Sequence, residues 1–192
     1  INLFNFILMN FPILSSLILL PTIGALFLLF SKDKNSNTSK YVALFTSFVN
    51  FLISIYLWFL FDPLISNFQF VEDREWLKGF INYKVGIDGI SILFIILTTL
   101  ITPLCVISVN NTVKIRLRDF LIAILVMESL MIGVFCSLDL VIFYLFFEAG
   151  LIPMFLIIGI WGGTRRVYSA FKFFLYTLLG SVLMLVAIIS IY

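Results

Sequence analysis

Glu148 is the residue of this chain whose type and position most clearly suggest chemistry. It is the ninth residue of an unbroken apolar stretch of 22 residues, from Leu140 to Trp161. At ~1.5 Å per residue, a helix of that length spans about 33 Å, which matches the hydrocarbon core of a bilayer. A carboxylate at that depth costs on the order of 3 kcal/mol. Such an unfavourable placement makes Glu148 a candidate functional residue.

The neighbours of Glu148 favour a functional role. Tyr144 lies one helical turn earlier and is predicted to hydrogen-bond the carboxyl on the same face. Pro153 lacks an N–H group, so the carbonyl of Ala149 loses its helical donor and remains free beside the carboxyl. Gly150 is predicted to allow another helix or water to approach closely. In the alternative interpretation, Glu148 is a protonated carboxyl that only joins neighbouring helices.

Glu128 is a second carboxyl within an apolar segment. Ser129 and Gly133 lie beside it, a pattern typical of a tightly packed and partly hydrated helix. Because Glu128 and Glu148 are predicted on adjacent antiparallel helices, they could form one proton site. Alternatively, Glu128 forms a hydrogen bond inside the helix bundle. The sequence leaves both interpretations open.

Two further charged residues lie near predicted helix ends. Lys172 is followed by Tyr176 and Gly180 at i+4 and i+8, which predicts a polar stripe along one helix face. Lys172 is also close enough to the helix end for its ammonium group to extend to the membrane interface. Asp139 precedes the stretch that contains Glu148, and we expect it to cap that helix.

The composition indicates a polytopic membrane protein. Of the 192 residues, 62% are hydrophobic and 11% are charged, whereas soluble domains carry about 25% charged residues. A net charge of +2 without a basic, aromatic-rich stripe argues against nucleic-acid binding. Six apolar segments are long enough to cross a bilayer. They are Phe11–Phe30, Tyr41–Phe61, Ile90–Val109, Phe120–Cys136, Leu140–Trp161 and Val167–Tyr192.

The sequence offers few ligands for a metal or haem. It contains no histidine and only two cysteines, Cys105 and Cys136, both inside apolar segments. We expect both to be buried thiols without a disulfide. A transition-metal site is therefore not predicted.

The basic residues are unevenly divided between the connections. Nine Lys and Arg residues follow the first, third and fifth segments, against three between the second and third. This asymmetry predicts the cytoplasmic or matrix side for the first group and the opposite side for the N-terminus. The first apolar segment lacks a basic n-region and a cleavage site, so we expect a retained helix. The chain starts with Ile1 and stops at Tyr192 inside an apolar run, which suggests part of a longer protein.

The connection between the second and third segments differs from the others. Residues 62–89 mix aromatic and charged side chains, with strand-like stretches at Phe68–Val71 and Phe80–Val85. We predict a short hairpin at the outer membrane interface. Trp76 and Tyr83 are expected at the level of the lipid head groups.

Three stretches resemble a known family. Phe68–Ser91 is similar to the loop before the third helix of subunit 4 of respiratory complex I, the proton-translocating NADH:quinone oxidoreductase. Asp139–Gly162 resembles the fifth helix of that subunit, and Ala170–Ser181 resembles the start of the sixth. The resemblance covers nearly the whole chain and is most specific around Glu148.

The resemblance implies an all-α polytopic membrane fold, the N-terminal part of a fourteen-helix antiporter-like subunit. Residues 1–119 would form peripheral helices 1 to 3 with the interfacial loop 62–89. Residues 120–192 would start the first proton-channel repeat. Glu148 would be the family's helix-5 glutamate, opposed by a lysine on a seventh helix, and Lys172 would be a basic position of helix 6. Glu128 and Tyr144 are secondary candidates for the same channel.

The resemblance also implies the setting of the chain. The chain would be a subunit of a redox enzyme but would carry out no redox chemistry itself, because NADH, FMN, iron–sulfur clusters and quinone bind to other subunits of the complex. The expected partners are other membrane-arm subunits, especially the antiporter-like subunits 2 and 5, a separate chain carrying the remaining helices, and lipid. The expected location is the mitochondrial inner membrane, with the N-terminus in the intermembrane space, or a bacterial inner membrane. A non-pumping scaffold and a cation/proton antiporter subunit remain alternatives.

Overall fold

The computed structural model describes residues 12–30, 36–65, 67–77, 81–113 and 115–191. Six helices in this part of the chain are long and apolar enough to cross a membrane, which confirms the predicted membrane fold. The helices and strands, in chain order, are α1 Ile13–Phe30, α2 Ser36–Leu60, β1 Gln69–Leu77, β2 Ile81–Ile87, α3 Gly89–Thr112, α4 Leu117–Cys136, α5 Leu140–Trp161 and α6 Arg166–Ile191. Helix α2 starts five residues before the predicted Tyr41, because its polar first turn extends the helix beyond the apolar segment.

Helices α1 to α4 form the core, and α5 and α6 pack on one side of it. One cluster of buried aliphatic residues joins α1, α2, α3 and α4 to β2, and a second lies toward the other end of these helices. Helix α5 packs on α4, and α6 packs on α5. In the membrane-length part of α6 only 11% of residues are buried, against 44% in α1 and in α4. Most of the surface of α6 therefore faces away from the described helices.

Acidic caps begin α3 and α5. The Asp139 carboxylate accepts hydrogen bonds from the N–H groups of Val141 (2.8 Å) and Ile142 (3.2 Å), as predicted. Asp88 caps α3 in the same way, through Ser91 (2.7 Å) among others. These hydrogen bonds, chiefly the one from the Ser91 N–H group, lower the pKa of Asp88. Since the folded-state pKa is depressed, this cap stabilises the fold above the ordinary Asp pKa and is lost as pH falls through the lowered value.

The predicted hairpin is present, and it contacts helices α1, α3, α4 and α5. Strands β1 and β2 are antiparallel, with Asp73 opposite Lys84. The Leu138 N–H group donates to the Lys84 carbonyl at 3.0 Å, which joins β2 to the turn between α4 and α5. Tyr83 is half-buried, with its hydroxyl 3.2 Å from Ser15 Oγ on α1, and its position at the head-group level stays a prediction. This burial raises the pKa of Tyr83. The side chain of Trp76 lies outside the described part.

Glu72 connects the hairpin to the start of α1. Its carboxylate accepts from the N–H groups of Leu14 (2.8 Å) and Ser15 (3.2 Å) and from the Ser15 hydroxyl. It therefore acts as an N-cap that comes from a distant part of the chain.

Glu72→Ala is expected to lower the free energy of unfolding by about 1 kcal/mol, as for loss of an ordinary N-cap. Thermal unfolding of the detergent-solubilised protein would measure it. Asp73→Asn is the matched control on the adjacent residue. It removes only the exposed pair with Lys84 (3.8 Å), and its effect should stay below about 0.5 kcal/mol. Equal effects of the two variants would contradict the capping role.

The two cysteines differ in burial. Cys136 is buried and Cys105 is exposed, and both are free thiols. The prediction that both are buried is therefore wrong for Cys105, because its position on α3 faces away from the neighbouring helices. Two other predictions, the division at residue 119 and the orientation of the N-terminus, stay predictions.

Candidate functional site

Glu148 lies in the middle of α5, with its carboxyl group partly enclosed by protein. The side chain is half-buried, and its Oε2 atom is shielded from solvent without a hydrogen-bond partner in the described part of the chain. A buried acceptor that lacks a partner is destabilising by about 1–3 kcal/mol. Unsatisfied groups of this kind are rare in folded proteins and require an explanation.

The face of α5 that carries Glu148 also packs against α6. Phe155 lies seven residues after Glu148, hence on the same face, and its ring centroid is 5.4 Å from that of Phe174. A Cβ atom at Gly159 would lie 3.6 Å from Ala170 Cβ, which fits the same antiparallel register. Continued toward Glu148, this register brings Ser181 to the level of the carboxyl.

Ser181 is a residue that the sequence analysis missed. It is only 3% exposed, and its hydroxyl donates to the Leu178 carbonyl at 3.0 Å. The adjacent Gly180–Ser181 pair in an apolar helix was the available signal, but only the packing register relates it to Glu148. Ser181 therefore contributes a polar side chain to α6, the helix that packs against the Glu148 face of α5.

One neighbour of Glu148 does not behave as predicted. Tyr144 forms no hydrogen bond with Glu148, whose carboxyl has none among the described residues. A Cβ at Gly150 would meet no atom within 4 Å, so the helix surface is open there, and the close approach of another helix or of water stays a prediction.

Lys172 lies apart from Glu148. It is exposed on α6, and Tyr176 on the same stripe is 81% exposed. In the register that places Ser181 opposite Glu148, Lys172 lies nine residues before Ser181. The distance between them along the axis of α6 is about 13 Å. The predicted stripe therefore exists, but it faces away from α5 and does not bring an ammonium group to the carboxyl.

Glu128 faces the core, not Glu148. It is 2% exposed, and its Oε1 atom accepts a hydrogen bond from Asn50 Nδ2 of α2 at 2.9 Å. The predicted close packing around it is present, since the Ser129 hydroxyl donates to the Ile18 carbonyl and a Cβ at Gly133 would be 2.6 Å from the Phe146 ring. The structure thus favours the alternative in which Glu128 bonds inside the bundle.

The Asn50–Glu128 pair contains two unsatisfied acceptors. Asn50 Oδ1 and Glu128 Oε2 are both buried without a partner. A protonated Glu128 would supply an O–H donor in this buried region, whereas the ionised form adds only acceptors. The geometry therefore fits a neutral carboxyl at this position. Asn50 was missed in the sequence, although Ser47, Asn50 and Ser54 lie on one side of α2 and all are buried.

Comparison with known proteins finds similarity to a described family in the region that contains Glu148. Residues 137–192 match the family model described as NADH:quinone oxidoreductase/Mrp antiporter, TM. Over 160 residues the chain is 60% identical to NADH-quinone oxidoreductase subunit M of Rhodobacter capsulatus, covering 83% of this chain and 30% of that protein. Over 181 residues it is 47% identical to NADH-ubiquinone oxidoreductase chain 4 of Marchantia polymorpha, covering 93% of this chain and 37% of that protein.

The fold is also known from a solved structure. A chain of the membrane-bound sulfane sulfur reductase, an archaeal respiratory membrane complex, superposes with a TM-score of 0.74 at 21% identity and covers 94% of this chain. The match spans 28% of that chain, and this chain spans about a third of the length of the curated relatives it matches (30% and 37%). These findings confirm the resemblance to subunit 4 and its membrane fold.

Proposed function

We propose that this chain forms part of the membrane arm of a proton-translocating NADH:quinone oxidoreductase, in a mitochondrial or bacterial inner membrane, and that Glu148 carries a proton there. The names of two similar relatives, a bacterial NADH-quinone oxidoreductase subunit M and a plant NADH-ubiquinone oxidoreductase chain 4, support the complex. The observation that carries the role of Glu148 is its shielded, unpaired carboxyl oxygen in the middle of a membrane helix. It lies within the segment that the family model matches.

The proposed mechanism is electrostatic and needs no redox group in this chain. As the resemblance implies, Glu148 faces a lysine on a further helix of the complex. At ~7 Å and an effective dielectric constant of ~20, their attraction is about 2 kcal/mol. Neutralising Glu148 removes this attraction from the lysine's charged form, and lengthening the separation removes part of it. Quinone reduction elsewhere would drive the change.

One alternative has a specific observation in its favour. The matching family model also covers Mrp antiporters, so an ion-exchanging subunit shares these helices. The relatives at 60% and 47% identity, however, are both named as NADH oxidoreductase subunits. This difference favours the respiratory complex.

Immunoprecipitation tests the proposed complex. An antibody raised against residues 62–89 should precipitate, from gently solubilised membranes, an assembly that oxidises NADH and reduces added ubiquinone. The same antibody blocked with the 62–89 peptide is the control. A precipitate that contains the chain without NADH oxidation would contradict the proposal, and cation-driven proton exchange by that precipitate would support the antiporter.

A further inference from the structure

Two apolar grooves begin at the hairpin and continue along α1. The first lies between α1 and α2 and has a volume of about 820 Å³. The second lies between α1, α4 and α5 and has a volume of about 790 Å³. Three residues line both grooves, namely Ser15, Leu19 and Arg74. The grooves therefore meet at one end, beneath Arg74.

The grooves are comparable in length to one leaflet of a bilayer. The first extends along α1 from Ser15 to Phe27, about 18 Å at the rise of a helix, against ~15 Å for half of the hydrocarbon core. The second reaches from Ser15 to Thr22, about 10 Å by the same measure. The α1 surface here is apolar and open, with Leu19 54% and Phe27 62% exposed.

Arg74 provides a positive charge where the grooves meet. It is exposed and forms no salt bridge or hydrogen bond with any described residue. The neighbouring charges have other partners, since Asp73 pairs with Lys84 at 3.8 Å and the Glu72 carboxylate is held by the start of α1. The guanidinium group is therefore available to an anion at the membrane surface.

We propose that the two grooves bind one anionic glycerophospholipid. Its phosphate contacts Arg74, and its two acyl chains lie on either side of α1. A single cation above two apolar grooves that join at that cation has the shape and charge of a two-chain lipid. A helix of a partner protein would instead cover one continuous apolar face, and it would bring no anion to the Arg74 guanidinium group. A zwitterionic lipid fits less well, because its own cationic group repels the guanidinium group.

Photo-crosslinking in the native complex tests this site. Phosphatidylglycerol and phosphatidylcholine, each with a diazirine in one acyl chain, are exchanged in separately, and the labelled residues are identified by mass spectrometry. We expect phosphatidylglycerol to label Leu19, Ile23 and Phe27 more strongly than phosphatidylcholine does. Arg74→Gln should reduce this labelling about fivefold. Arg74→Lys, which keeps the charge, should retain most of it.

Arg165→Gln is the control, because Arg165 is also exposed but lines neither groove. It should leave the labelling unchanged. Equal labelling by the two lipids in the unmodified protein would indicate ordinary bilayer lipid and overturn the proposal. So would undiminished labelling in Arg74→Gln, an equal loss in Arg165→Gln, or a complete absence of labelling on α1, which would indicate that another protein covers the grooves.

Discussion

Replacement of Glu148 by glutamine is expected to reduce proton translocation per NADH oxidised by about tenfold or more, as for loss of an essential acid–base group. The amide has nearly the same shape as the carboxyl but cannot exchange a proton or carry a charge. Packing of α5 on α6 through Phe155 should persist, because these ring contacts do not involve the carboxyl. The measurement is the pH gradient in sealed vesicles, recorded together with the rate of NADH oxidation.

Glu128→Gln is the matched control for this experiment, on the adjacent helix. A glutamine at this position can accept from Asn50 Nδ2 through its carbonyl oxygen, and its N–H group replaces the O–H group of the protonated acid. Proton translocation should therefore stay within about twofold of the unmodified level, since no proton-exchanging group of the proposed path is lost. A full gradient in Glu148→Gln, or an equal loss in both variants, would contradict the role assigned to Glu148.

The sequence predicted the features of this fold that depend on local patterns. The segments were found to within a few residues at most ends because apolar length alone determines a membrane helix. The Asp139 cap was also predictable, since its donors lie two and three residues away. The depth of Glu148 in α5 followed from simple counting.

The rest depends on how the helices are rotated against one another, which hydropathy does not encode. Asn50 and Glu128 are 78 residues apart in the chain, and Glu72 and Ser15 are 57 apart. The apolar segments are hydrophobic on all sides, so periodicity could not show that Glu128 faces α2 while Glu148 faces α6. For the same reason Lys172 was a plausible neighbour of Glu148 by sequence, although it lies on the opposite surface of α6.

Glu128→Leu is expected to destabilise the helix bundle by about 1–3 kcal/mol, because it leaves the fully buried Asn50 amide without its partner. Denaturant titration of the solubilised protein would measure the change, with Glu128→Gln expected near zero. If the loss arises from the unpaired amide, the double variant Asn50→Leu with Glu128→Leu should recover part of it, giving a coupling free energy of about 0.5–3 kcal/mol. Additive losses would show that the two side chains act independently. If Asn50 and Glu128 are energetically coupled and Glu128→Gln leaves proton translocation intact, the role of Glu128 is to hold α2 against α4. Glu148 is then the carboxyl of this chain that moves protons.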